Sequence, residues 1–292
     1  DDDIAYLKAM NEAFKRVNSP LAIDFSKISF WYIRGKDNMN LKIMANKQLL
    51  SQAVQGCKYA VIFDKDYSTE AANTKFINSD ILRRLGNSSW AHTHNGYCIE
   101  SVLFSEMDKL KKFLNKITGK DEETINTFLD EYFYELKQSL SNVQSNIYFN
   151  MKEKFKSQKK PTRPELDNVE FDIYAGEAAQ NIHYAMNKDN IRAFVLKIEE
   201  EWGITLFQRE DDASETFASG LLNKYIDSIE AADDIYNDYV INQLDKNKKK
   251  INQSDVHDTS GKINYKEVSV PNYTEAVKYY KLSVETTGNP IS

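Results

Sequence analysis

A short apolar run that ends in two aspartates is the feature that most constrains this chain. Residues 59–63, Y-A-V-I-F, are typical of a buried β-strand, and Asp64 and Asp66 follow it with Lys65 between them. Ligands bind at the carboxyl ends of the strands in an open α/β sheet. Two carboxylates at such a strand end repel each other unless a cation neutralises them. The pattern therefore favours a divalent-metal site with oxygen ligands, and the alternative is an ordinary Asp-rich turn.

The composition excludes several classes of protein. Hydrophobic residues make up 41% of the 292 residues, with 17 Tyr and 15 Phe, which is enough for a core and argues against global disorder. No apolar run approaches the roughly 18 residues that cross a membrane, and the start lacks a signal-peptide pattern. Cys57 and Cys98 give no disulfide framework, so we expect a cytoplasmic protein without a membrane partner.

The charge is unevenly distributed along the chain. Residues 1–120 carry 18 Lys and Arg against 13 Asp and Glu, whereas the remaining residues carry 20 against 31. The part that contains Asp64 and Asp66 is therefore basic around its acids. This balance suits a polyanionic substrate held at a metal site, and the alternative is ordinary variation of surface charge.

The first 118 residues show alternating helical and strand patterns. The patterns predict, in order, a helix at 2–17, a strand at 28–33, a helix at 40–54, a strand at 59–63, a loop at 67–78, a short helix at 81–85, a strand at 88–94 and a helix at 97–117. This order predicts an α/β fold with a mostly parallel sheet flanked by helices. One strand is missing, namely the strand that should precede the first helix.

The region from 119 to 292 is predicted to be a mainly helical extension. Helical periodicity covers 122–151, 176–186, 188–202, 215–244 and 273–284, a basic hinge covers 152–164, and the polar stretch 252–268 is predicted to be partly mobile. We expect this half to serve partner binding or dimerisation, and dimerisation would make the protein a homo-oligomer.

Three further polar residues lie where metal or substrate ligands are expected. Glu100 opens the predicted helix at 97–117, where the helix dipole alone would explain an acid and a metal contact is the functional alternative. His92 and His94 lie on alternate positions of a predicted strand. Two such histidines can bind zinc, but the sequence offers no evident third ligand, so we interpret them as structural or substrate-contacting.

Three acidic elements and one glycine loop together resemble a Toprim domain. They are Asp1–Asp3 opening the first helix, in which Asp3 begins D-I-A-Y-L-K, the loop Arg34-Gly35-Lys36-Asp37-Asn38, the Asp64-x-Asp66 strand end and the Ile99-Glu100 helix start. The order is most similar to that in Toprim nucleases of the OLD (overcoming lysogenization defect) family and their DUF4435-like relatives in antiphage defence. The resemblance covers about residues 1–118. The family's first motif, E-G-x-x-D, would place its glutamate just before residue 1, and we expect that the chain begins late or lacks this base.

The resemblance implies a metal-dependent endonuclease that cleaves phosphodiester bonds in DNA or structured RNA such as tRNA. It implies one or two Mg²⁺ or Mn²⁺ ions held by Asp3, Asp64, Asp66 and Glu100, which would also be the catalytic residues. Lys36, with Gly35 and Asn38, would contact phosphate on the glycine loop. Lys65 should point to the opposite side of an extended chain and is interpreted as structural.

The expected partners follow from the same resemblance. An ABC-type ATPase is implied, either upstream in the same polypeptide or as a separate subunit, because these residues contain no phosphate-binding loop of the G-x-x-x-x-G-K-[ST] type. The alternative function is a non-catalytic interaction module that docks on such an ATPase. A weaker third interpretation is a flavodoxin-like receiver or phosphatase with Asp64 as phosphoryl acceptor.

Overall fold

The computed structural model describes residues 2–17, 22–33, 59–85, 89–158 and 163–229. Several predictions lie outside these ranges: the helices at 40–54 and 273–284, the mobile stretch 252–268, and the glycine-loop residues Gly35, Lys36 and Asn38. Within the described ranges, the helices are α1 (Asp2–Arg16), α2 (Glu70–Lys75), α3 (Arg83–Leu85), α4 (Met107–Thr118), α5 (Glu122–Ser141), α6 (Asn146–Gln158), α7 (Pro164–Gln180), α8 (Lys188–Trp202) and α9 (Ser214–Asp227). The strands are β1 (Ala60–Phe63) and β2 (Trp90–Thr93).

The described residues are mostly helical and carry one small parallel sheet, which is consistent with the α/β class. A π-helix, Phe76–Leu82, joins α2 to α3, and 3₁₀ turns occur at Phe25–Lys27, Ile99–Phe104 and Ile182–Tyr184. None of the helices in the described ranges is long and apolar enough to cross a membrane.

The two strands pair in parallel, in a register that runs from Ala60 opposite Trp90 to Phe63 opposite Thr93. The predicted strands at 59–63 and 88–94 are thus confirmed, with slightly shorter bounds. The ladder continues past the end of β2, because the His94 backbone N–H donates to the Phe63 carbonyl at 3.0 Å. The residues that follow β1 and β2 therefore lie side by side.

The predicted strand at 28–33 is wrong for the described structure. These residues pair with no strand among the described ranges. They follow the 3₁₀ turn that Asp24 caps, and the rings of Phe25 and Phe30 contact each other at 5.0 Å. Of the side chains that suggested a strand, Ile28 and Ile33 each pack against a different hydrophobic cluster, and Tyr32 faces solvent.

The predicted loop at 67–78 is also wrong, because α2 and the π-helix occupy most of it. Thr69 caps α2 by accepting a hydrogen bond from the Ala72 N–H. This capping residue is a local sign of a helix in a stretch whose polar composition suggested a loop.

Two predicted long helices are each divided. The one at 97–117 breaks at Ser105 and Glu106, and the one at 122–151 breaks between α5 and α6. Hydrophobic periodicity alone does not reveal such breaks.

A large hydrophobic core joins α1 and the Ile99–Phe104 turn to helices α4 to α9. A second, smaller cluster packs Val61 and Phe63 of β1 against Ile81 and Leu85. The large core draws side chains from both sides of the predicted boundary at residues 118 and 119. The division into two domains stays a prediction.

A turn between β2 and the Ile99–Phe104 segment depends on Gly96. Its φ of +147° lies in the region that favours glycine, and a Cβ there would lie 2.3 Å from Ser101 Oγ. That hydroxyl is fixed, because it donates to the Cys98 carbonyl at 2.6 Å and accepts from the Cys98 N–H at 2.9 Å.

We expect Gly96→Ala to destabilise the chain by about 1–3 kcal/mol, since it combines backbone strain with a clash. The matched control is Gly176→Ala inside α7, where no atom of the described residues lies within 4 Å of the new Cβ. This change should stabilise the chain by about 0.5–1 kcal/mol through helix propensity. Urea unfolding of both variants measures the two effects, and a neutral Gly96→Ala would contradict the predicted strain.

Candidate metal centre

Three side chains from three elements converge beyond the carboxyl end of the parallel strand pair. Asp3 comes from the first turn of α1, Asp64 follows β1 and His94 follows β2. One ligand atom from each lies within 4.8 Å of the other two. The His94 Nε2 atom is 3.5 Å from Asp3 Oδ2 and 3.8 Å from Asp64 Oδ1. We call these residues the acidic–histidine triad.

His94 is the most enclosed member of the triad. Its side chain is fully buried, and its backbone is held by the hydrogen bond to Phe63 and by the Gly96 N–H, which donates to the His94 carbonyl at 3.0 Å. Burial acts to lower the pKa of His94, but the interaction with Asp3 and the charge of Asp64 raise it above its ordinary value. Burial likewise acts to raise the pKa of Asp3, but its pairing with His94 holds that pKa below the usual range.

Asp64 contains a polar atom that the described protein leaves unsatisfied. The side chain as a whole is 38% exposed, but its Oδ1 is sealed from solvent and has no hydrogen-bond partner among the described residues. Burial is the main reason that the pKa of Asp64 is raised to about 7. The positive charge of His94 opposes this shift, and the negative charges of Asp3, Asp66 and Glu100 add to it.

Asp66, a predicted ligand, lies outside the triad. Its φ of +52° is unusual for a residue other than glycine. Its backbone N–H donates to the Tyr97 carbonyl at 2.9 Å, and the Tyr97 N–H donates to the His183 carbonyl at 3.2 Å. The Asp66 backbone therefore links the turn after β1 to the turn after β2. The negative charge of Asp66 contributes to the raised pKa of Asp64.

Glu100, the fourth predicted ligand, is buried in the Ile99–Phe104 turn and is paired with a lysine. Its Oε1 lies 3.4 Å from the Nζ of Lys188, the first residue of α8. The same ammonium also donates to both carboxylate oxygens of Glu215 on α9. Burial acts to lower the pKa of Lys188, but these two glutamates raise it above its ordinary value. Glu100 thus lies near the triad without belonging to it.

Lys65 points away from the triad, as the alternation of an extended chain predicts. Its Nζ donates to Glu70 Oε1 at 3.0 Å and lies 4.3 Å from the centre of the Tyr184 ring. The Glu70 backbone N–H in turn donates to the Glu177 carboxylate on α7. Lys65 therefore anchors the strand end to the helical region.

Sequence reasoning missed two of the residues that define this centre. It set His94 aside because no third ligand was evident, although Asp3 and Asp64 supply two. The available signal was that residues following two paired parallel strands meet at one edge. Lys188 gave no comparable signal, because it is 88 residues from Glu100 in the chain and reaches it only through the packing of α8.

Comparison of the chain with known proteins adds no relative. No family model matches it, and neither the curated proteins nor the solved structures contain a significant match.

The raised pKa of Asp64 predicts a stability effect that depends on pH. The folded carboxyl has a pKa of about 7 against an ordinary value of 3.8, so its ionisation destabilises the metal-free chain progressively as the pH rises between these values. Asp64→Asn removes this ionisation. It should stabilise the metal-free chain by about 1 kcal/mol at pH 8, after allowance for solvent screening, and by less at pH 5.

Urea unfolding in EDTA at the two pH values measures this difference. Asp130→Asn is the matched control, because Asp130 is an exposed aspartate on α5. An Asp64→Asn effect that is equal at pH 5 and pH 8 would contradict the predicted burial of the charge.

Proposed function

We propose that this chain is a metal-dependent phosphodiesterase, a nuclease with a Toprim-like centre in which Asp3, Asp64 and His94 hold a divalent cation. The observation that carries the proposal is the convergence of these three groups around the unsatisfied Oδ1 of Asp64. A buried carboxylate oxygen without a partner costs about 1–3 kcal/mol or more, and a bound cation would remove that cost.

The donor atoms fit the metals that the Toprim resemblance implies. Two carboxylates supply the oxygen ligands that Mg²⁺ and Mn²⁺ prefer, and the imidazole of His94 is a donor that favours Mn²⁺ over Mg²⁺. Asp3 and Asp64 would neutralise the ion, while the buried ring of His94 would fix its position at the strand ends. Open coordination positions would face solvent on the side where Asp3 and Asp64 are partly exposed.

A bound divalent ion would polarise a phosphodiester and lower the pKa of a water molecule. The chain's own contribution is to hold its ligands in place through the β1–β2 pairing and the turn at Gly96. Lys36, with Gly35 and Asn38, remains the proposed phosphate contact. DNA and structured RNA remain the two proposed substrates, and an ABC-type ATPase in an antiphage defence system remains the proposed partner.

A second candidate function is a non-catalytic interaction module that docks on such an ATPase. The charge pairing in the centre favours it. His94 in its protonated form would neutralise Asp3 and Asp64 without a metal, and Lys188 neutralises Glu100. This candidate predicts a structural ion cluster that does not bind divalent cations, so metal binding separates the two functions.

Calorimetric titration with Mn²⁺ tests the proposed centre. We expect the 292-residue chain to bind Mn²⁺, and Asp64→Ala or His94→Gln should weaken binding at least tenfold, or about 1.4 kcal/mol, because each removes a ligand. His92→Gln is the matched control, since His92 is a second histidine on β2 but is not one of the three residues whose ligand atoms converge. Binding that survives both ligand variants would contradict the proposed centre, and absence of binding to the wild-type chain would favour the interaction module.

Cleavage assays with supercoiled plasmid and with tRNA then test the reaction. We expect cleavage that needs Mn²⁺ or Mg²⁺ and is lost in Asp64→Ala, because the ion cannot be held at the strand ends. The assay should use both the 292-residue chain and a version extended by the E-G dipeptide that the resemblance places upstream. Cleavage by Asp64→Ala at the wild-type rate would refute the assignment.

A further inference from the structure

A lysine from the helical region lies next to the proposed metal centre. Lys188 opens α8, and its side chain is 35% exposed. Its Nζ is 3.4 Å from Glu100 Oε1 and contacts both oxygens of Glu215. The ammonium thus bridges a carboxylate from the predicted catalytic region and one from α9.

The burial of Glu100 shows why a cation is needed at this position. Its side chain is only 3% exposed, and an ionised carboxylate so deeply buried is costly unless it is paired. Glu215 is 54% exposed and does not need a partner for this reason. The bridge therefore acts mainly on Glu100, and Glu215 holds the ammonium in place from the solvent side.

Glu100 is also close enough to the triad for its charge to be felt at Asp64. Two neighbouring acidic groups, the triad and Glu100, would together offer ligands for two divalent ions. Lys188 already places one positive charge beside Glu100, at the distance of a direct ion pair.

We infer that the Lys188 ammonium takes the place of a second metal ion, so that the centre binds one divalent cation and Lys188 positions Glu100 as a non-ligand. The inference rests on the proposed metal site and narrows the expected number of bound divalent ions from one or two to one. It also gives α8 and α9 a role at the site, because they supply Lys188 and Glu215. Lys188 is a positioning residue here, since it acts through Glu100.

Counting bound Mn²⁺ by electron paramagnetic resonance tests the inference, because protein-bound and aqueous Mn²⁺ give separable signals. We expect one Mn²⁺ per wild-type chain at saturation. Lys188→Gln should bind two, since it releases Glu100 and Glu215 as ligands for a second ion. Lys188→Arg keeps the positive charge and should return the count to one.

The matched control is Lys154→Gln, which removes a lysine of α6 that pairs with Asp189 at the start of α8. Its count should stay at one, because this pair includes neither a residue of the triad nor Glu100 or Glu215, and both of its members are partly exposed. Circular dichroism of each variant checks that the chain is folded. If Lys188→Gln does not fold, the wild-type and Lys188→Arg counts still decide the question, because two ions in either would overturn the inference.

The possible outcomes separate this inference from the proposed function. Two ions in the wild-type chain, or one in a folded Lys188→Gln, would overturn the role of Lys188 and leave the metal site standing. No bound Mn²⁺ in the wild-type chain would overturn both. A count that rises from one to two in Lys188→Gln alone would support both.

Discussion

The pairing of β1 with β2 is the constraint on which the candidate centre depends. The two strands are only four residues each, and the hydrogen bond from the His94 N–H to the Phe63 carbonyl extends their ladder by one step. That step places His94 next to Asp64, and α1 then brings Asp3 to the same edge. A slip of one residue in this register would turn His94 to the opposite face of the sheet.

The helical region stabilises this strand edge through several separate contacts. Tyr97 donates its backbone N–H to the His183 carbonyl, and Lys65 pairs with Glu70, whose N–H donates to Glu177 on α7. Lys188 adds a contact from α8 to Glu100. A two-stranded sheet is marginal by itself, so these contacts and the shared core explain how so small a sheet can support a site. The helical region is therefore part of the scaffold of the centre.

The charged groups of the centre are compatible with two states, one without a metal and one with a bound divalent ion. In the metal-free protein, His94 lies between Asp3 and Asp64, which raise its pKa and so favour its charged form, and Lys188 lies against Glu100. A divalent ion in the triad would need His94 neutral and Asp64 ionised. The first state would suit the proposed interaction module, and the second the proposed metal-dependent enzyme.

The sequence was informative where local patterns determine structure. The apolar run before Asp64 correctly predicted β1, and the helical periodicity at 2–17 and 188–202 correctly predicted α1 and α8. The acidic character of the strand edge also followed from Asp3 and Asp64. Strand pairing is a tertiary property, so the pattern at residues 28–33 predicts a strand that is not found among the described residues.

The remaining features of the site depend on contacts between distant residues. Only the register of β1 and β2 brings His94 to Asp64, and only the packing of α8 brings Lys188 to Glu100. Asp66 has a positive φ and lies outside the triad, and its residue type reveals neither property. The resemblance to Toprim nucleases remains a hypothesis based on short motifs.

The most direct test of this account is whether His94 binds the metal. Electron spin echo envelope modulation of bound Mn²⁺ detects a coordinated histidine nitrogen directly. We expect nitrogen modulation from one histidine in the wild-type chain, and its loss in His94→Gln but not in His92→Gln. Bound Mn²⁺ without nitrogen modulation, or modulation that persists in His94→Gln, would contradict a centre built from Asp3, Asp64 and His94.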